Sequence, residues 1–136
     1  MEKKQSGKGR ITKILVFGNP LVEIDSLPIK LMPDLEKAFP EIEFKEIDAA
    51  DQVEDEGRDL VIIDAVFGIK RVEVITDLES IQLEKIYTMH DFDLGITLKL
   101  LKKIGKLDSA LIFGVPLHYP KKRALKEVAE KIRLYM

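Results

Sequence analysis

Leu60-Val61-Ile62-Ile63-Asp64-Ala65-Val66 is an apolar, largely β-branched run interrupted by a single aspartate. A run this short and this continuous predicts a central strand covered on both faces, because a strand with one wet face alternates polar and apolar residues. Such a strand needs helices on both sides, and the flanking sequence supplies them. Upstream, Ile42 to Ile47 reads as a strand, with Ile42 and Phe44 set against Glu43 and Lys45. Leu27 to Phe39 reads as a helix, with Ser26 placed to cap it and Pro28 in the first turn, where a missing N–H costs nothing. Pro33 is expected to kink or restart that helix. Ile11 to Phe17 reads as the first strand and ends at Gly18-Asn19-Pro20. Downstream, Val72 to Thr76 and Ile86 to Met89 read as short strands. Asp93 is placed to cap a helix carrying Leu94, Leu98, Leu101 and Ile104 on one face, with Gly105 past its end. Ala110 to Val115 is the last strand. Lys121 to Leu134 closes the chain as a helix, with Leu125, Val128 and Ile132 facing inward and Glu127 and Lys131 as an exposed pair. The pattern predicts an α/β fold: a three-layer α/β/α sandwich around a twisted, largely parallel sheet. Residues 11–136 are expected to form a single domain behind a flexible basic tail, residues 1–10.

Composition narrows the function classes. A chain of 136 residues supports one real core. With 22 basic and 24 acidic residues the formal charge is -2, and a nucleic-acid partner is not expected. Cysteine is absent, which removes disulfides, thiolate metal sites and a cysteine nucleophile together, and fits a reducing cytoplasm. The opening MEKKQSGKGR is not followed by an apolar stretch of signal-peptide type, and no run is long enough to span a bilayer. A soluble, cytoplasmic protein without membrane insertion is expected.

Ligands in open α/β sheets bind where the strands' carboxyl ends meet the loops. The polar residues after each expected strand are Asn19, Glu23 and Asp25, then Asp48 and Asp51, then Asp64, then Thr88, His90 and Asp91, and finally His118. This acidic edge invites a cation. Asp64 is the most informative of them, since a carboxylate inside an apolar run must find a hydrogen bond, a basic partner or a metal. Taken singly, each residue has an ordinary structural reading that comes first. Asp64 would be a strand-end aspartate bonded to backbone, His90 a surface or capping residue, Asp25 a turn residue and His118 a surface residue. Taken together, Asp25, Asp64 and His90 form an open set of oxygen and nitrogen donors suited to a divalent ion with positions left free.

The sequence resembles the hydrogenase maturation proteases, which are small single-domain α/β proteins. The resemblance runs from about Ile11 to the end. It rests on a first strand followed by Gly18-Asn19 with Asp25 six residues after the Asn, and on Ile63-Asp64-Ala65 in the central strand. It also rests on Thr88-Met89-His90-Asp91 and on Phe113-Gly114-Val115-Pro116 before an amphipathic helix. The family often carries two adjacent acids and a glycine after the first turn. Here Ile24-Asp25-Ser26 keeps one acid, and Glu23 is the alternative first contact.

The resemblance implies an endopeptidase that removes the C-terminal extension of the [NiFe] hydrogenase large-subunit precursor after nickel insertion. It implies that Asp25, Asp64 and His90 contact nickel presented by the substrate, and that other divalent cations can occupy the site. It also implies that these residues serve the cleavage itself. Ser26 and Ser109 have no convincing base in pattern, so a serine triad has little support. The remaining route is attack by water, with a carboxylate as base or with the metal polarising the carbonyl or the water. A catalytically silent relative that binds nickel-loaded precursor as an assembly checkpoint is the alternative. A receiver-type signalling domain would need adjacent acids after the first strand and a lysine after the last, where Gly18-Asn19-Pro20 and Pro116-Leu117-His118 stand. A dinucleotide site would need more glycine than Gly18 in the first turn.

Overall fold

A computed structural model of the chain describes residues 11–18, 26–47, 50–76 and 89–136, with backbone only at 50–51 and 89–93. The elements run β1 (Lys13–Phe17), α1 (Leu27–Ala38), β2 (Glu43–Ile47), a 3-10 helix (Ala50–Glu56), β3 (Asp59–Val66), β4 (Glu73–Ile75), α2 (Met89–Lys103), β5 (Ser109–Pro116) and α3 (Lys121–Tyr135). The strands form one sheet in the order β2-β1-β3-β5-β4. β1 pairs in parallel with β2 and with β3, and β3 in parallel with β5, while β4 is antiparallel to β5 at one edge. The sheet is therefore largely parallel, as its apolar central run requires.

Alternation along the strands divides the core into two halves. Ile14 and Val16 of β1, Phe44 of β2, Ile63 of β3 and Phe113 and Val115 of β5 pack against Leu31 and Leu35 of α1 and Ala124, Val128 and Ile132 of α3. Leu15, Phe17, Ile47, Leu60, Ile62, Ala110 and Ile112 point the other way, onto Val53 of the 3-10 helix and Leu94, Leu98 and Leu101 of α2. One layer thus holds α1 and α3, and the other holds α2 and the 3-10 helix.

Several local expectations are corrected. α1 runs unbroken from Leu27 to Ala38 through Pro33, which lies at an exposed position. Solvent there can satisfy the carbonyl that loses its partner to the proline ring. Ser26 is the N-cap residue, but its side chain makes no capping bond. Asp93 is not the cap of α2, which begins four residues earlier, and Met89 is helical and not the end of a strand. Residues 86–88 of that expected strand lie outside the described residues, as do residues 1–10. Ile104 lies past the end of α2 and is exposed, while Leu107 joins the core in its place. Glu127 does not pair with Lys131; Arg123, one turn earlier, holds it at 3.1 Å. α3 opens on Lys121, Lys122 and Arg123 with no acid in its first turn, against the sense of the helix dipole. No helix among the described residues is long and apolar enough to cross a membrane.

The amino-terminal edge of the sheet is tied by charge. The half-buried Glu56 carboxylate at the end of the 3-10 helix accepts from Lys13 of β1 and Lys45 of β2, each at 2.6 Å. Those two hydrogen bonds, Lys13 first, hold the Glu56 carboxyl below the ordinary glutamate value against the opposing effect of burial. Beside it, Arg58 reaches Asp108 at 3.0 Å and the Gly105 carbonyl, so the start of β3 is clamped to the turn after α2.

Two outcomes test this packing. Leu98 is fully buried between α2 and the sheet, so Leu98→Ala should lower unfolding free energy in urea by about 2–5 kcal/mol. Glu56 has a depressed folded-state value, so its stabilisation is complete above the unfolded glutamate value and fades as pH falls through the folded one. Glu56→Gln should lower stability at neutral pH by about 1–2 kcal/mol and flatten the acid limb of a Tm-versus-pH curve, and an unchanged acid limb would reject the assignment.

Candidate functional site

Asp64 is the third-last residue of β3 and is 6% exposed. Apart from Ser26, it is the buried polar residue of the described core. It shares the alternation of Leu60 and Ile62, which places it on the α2 face at the carboxyl end of the sheet. Its Oδ1 accepts a hydrogen bond from the Ala65 N–H at 2.9 Å. The structure thus supplies the backbone contact that an ordinary strand-end aspartate would have.

The neighbour of Asp64 across the β3–β5 ladder is Gly114. A Cβ at Gly114 would stand 3.0 Å from Cγ2 of Val66 and 3.4 Å from Cδ1 of Ile69, which is tighter than ordinary contact. Glycine therefore lets the chain leaving β3 fold closely over β5 beside the carboxylate. The sequence marks this position only by the Gly within Phe113-Gly114-Val115-Pro116, and nothing short of the strand register ties it to Asp64.

The topology carries the first turn of α2 to the same edge. The turn after α2 docks where β3 begins, since the Asp108 and Ser109 N–H groups both donate to the Arg58 carbonyl, at 2.7 and 3.2 Å. From there α2 packs back along the α2 face through Leu101, Leu98 and Leu94. Its 15 residues span about 22 Å, close to the length of the 8-residue β3. Residue 90 precedes Leu94 by four positions, about one helical turn. His90 is thus in a first helical turn at the carboxyl edge, not between a strand and a helix; only its backbone is described. Asp25, with Glu23, lies outside the described residues, as do Asn19, Asp48 and Thr88. Among the described residues no group of three or more His, Asp or Glu side chains is close enough to hold a metal.

Ser109 is at the opposite edge, where its hydroxyl donates to Asp59 at 2.7 Å, so no histidine-based triad forms around it among the described residues. His118 follows β5 in a left-handed conformation, φ 59°, unusual for a side chain with a Cβ. Tyr119 next to it donates to both oxygens of Glu127, at 2.9 and 3.0 Å, and the Val72 N–H donates to the same carboxylate at 3.1 Å. Arg123 stacks over the Tyr119 ring, 5.2 Å from its centroid. Burial pushes the Glu127 carboxyl up, but the Val72 N–H, the Tyr119 hydroxyl and Arg123 together hold it below the ordinary value. Burial first, then Glu127, pushes the Tyr119 phenol up. The turn after β3 and the turn after β5 are thereby locked to one another and to α3.

No protein-family model and no curated protein matches the chain. Solved structures do. The hydrogenase 3 maturation protease superposes with a TM-score of 0.62 at 20% identity, covering 93% of this chain and 92% of that one. The endopeptidase HycI from Escherichia coli gives 0.57 at 20% identity, over 92% and 91%. The [NiFe] hydrogenase maturation protease HycI from Thermococcus kodakarensis KOD1 gives 0.58 at 16% identity, over 94% of each. At these identities the likeness is one of architecture, and it extends over nearly the whole of both chains: the fold is that of the hydrogenase maturation proteases.

Proposed function

We propose that this protein is an endopeptidase that removes the C-terminal extension of a nickel-loaded [NiFe] hydrogenase large-subunit precursor. The observation that carries the reading is Asp64: a buried carboxylate at the carboxyl end of the central strand, in a fold shared over nearly its whole length with hydrogenase maturation proteases. A carboxylate at that edge favours a cation brought close to it. Asp64 and His90, with Asp25 or Glu23 from the loop after β1, are the proposed contacts to nickel held by the precursor. Oxygen and nitrogen donors suit a divalent ion, and a contact set contributed only in part by the protease leaves positions for the precursor's own ligands.

In this reading the metal belongs to the substrate and acts as the admission signal. A precursor without nickel offers no partner for the carboxylates, so it binds weakly and is left uncut. Cleavage proceeds by water, because the chain contains no cysteine and Ser109 is at the far edge of the sheet. A carboxylate of the set takes the proton from the attacking water. Asp64 and Asp25 are both suited to this role, since a neighbouring cation keeps a carboxylate ionised.

Incubation of the purified protein with nickel-loaded and nickel-free precursor tests the proposal by mass spectrometry. The loaded form should be shortened and the nickel-free form left intact. Asp64→Asn and His90→Ala should each reduce the cleavage rate by about 100-fold or more while keeping the far-ultraviolet circular dichroism of the parent. Normal cleavage by either variant would remove that residue from the site. Stable binding of loaded precursor without any shortening would replace the protease with a checkpoint protein.

A further inference from the structure

α2 carries apolar residues on two opposite faces. Leu94, Leu98 and Leu101 pack on the sheet. Ile96, Leu100 and Ile104 do not, and are 40%, 54% and 55% exposed. Spaced by four, these three follow one side of a helix. The Ile104 N–H still donates to the Leu100 carbonyl at 3.0 Å, so the row keeps its register just past the last helical residue, Lys103. Single exposed aliphatics are ordinary on a protein surface, whereas a row of them marks a place of contact.

Charge gives the row a direction. Positions 93, 96, 100 and 103 are spaced three, four and three apart, the interval that aligns a seam along one side of a helix. Aspartate stands at 93, Ile96 and Leu100 follow, and Lys103 ends the seam. At 93 the backbone alone is described. Lys103 is exposed and has no ion pair among the described residues. The charges around it are placed or engaged elsewhere. Position 91 and the half-buried Lys99 lie round the helix from the seam, as does Lys102, which donates to the Asp108 carbonyl at 3.2 Å. Lys106 meets Glu54 of the 3-10 helix at 3.0 Å, and Asp55 beside it acts on Lys45.

We propose that two copies of this chain associate through the outward face of α2, antiparallel about a two-fold axis level with Leu98. That axis sets Ile96 against the partner's Leu100 and Asp93 against the partner's Lys103, and symmetry repeats both pairings. A seam that is acidic at one end, apolar in the middle and basic at the other complements itself when reversed. The helix dipoles are also opposed in that arrangement. A parallel pair would instead place Asp93 on Asp93 and Lys103 on Lys103. Three aliphatic side chains per copy offer little area beside a standard interface, so the dimer is weak and fills at high protein concentration. The seam is on the far side of α2 from the sheet that carries Asp64, and the inference does not depend on the protease reading.

Sedimentation velocity of the full-length protein at low salt, from about 10 μM to about 1 mM, should show the average mass rising from that of one chain toward that of two. Leu100→Glu should raise the dissociation constant about tenfold or more, with the far-ultraviolet circular dichroism of the parent. Asp93→Lys and Lys103→Asp should each raise it about fivefold by setting like charges together. The variant carrying both exchanges should return to the parent value, and the effect of each single exchange should shrink as salt rises. A mass fixed at one chain across the range, association untouched by Leu100→Glu, or a correctly folded double exchange no better than the singles would overturn the proposal. A monomer whose binding to nickel-loaded precursor is lost in Leu100→Glu would overturn it in favour of a face for another protein.

Discussion

The two-sided burial of the sheet governs most of what this chain does. β3 has apolar neighbours on both faces, so each of its residues must either fit an apolar layer or bring its own compensation. Ile62 and Ile63 fit. Asp64 brings compensation of its own: almost wholly shielded from water, it accepts the Ala65 N–H on Oδ1. It stands at the carboxyl edge, where α/β sheets place their ligands.

Charge is distributed differently at the two ends of the sheet. At the amino edge the charges meet directly: Glu56 takes both Lys13 and Lys45, and Asp108 takes Arg58. These contacts join β1, β2, the 3-10 helix and the turn after α2, and they close on themselves. At the carboxyl edge Glu127 is saturated by Tyr119, Val72 and Arg123, which ties the turns after β3 and β5 to α3.

The route from sequence to site was clearest where periodicity spoke directly. The Leu60–Val66 run announced a buried strand, and Leu94, Leu98 and Leu101 announced the stripe of α2, because burial imposes a period on any element that packs. Local capping signals were poorer guides. Asp93 looked like a helix start, yet α2 begins at Met89, and Pro33 looked like a break in a helix that runs through it. At Pro33 solvent can satisfy the carbonyl that the ring displaces, and α2 starts one turn before the residue that looked like its cap. Ile104 had the right spacing but fell beyond the helix end, where the stripe no longer meets the sheet.

The sequence by itself determined the α/β class, the largely parallel sheet and the choice of Asp64 as the residue to explain, since all three follow from apolar periodicity and from the cost of burying a charge. It could not determine which strand lies beside which. Only the tertiary structure decided that β3 sits between β1 and β5, that Gly114 is the partner of Asp64, and that the turns after β3 and β5 meet at Glu127 of α3. Strand order and the joining of distant turns depend on contacts between residues far apart in the chain, and no local pattern encodes those.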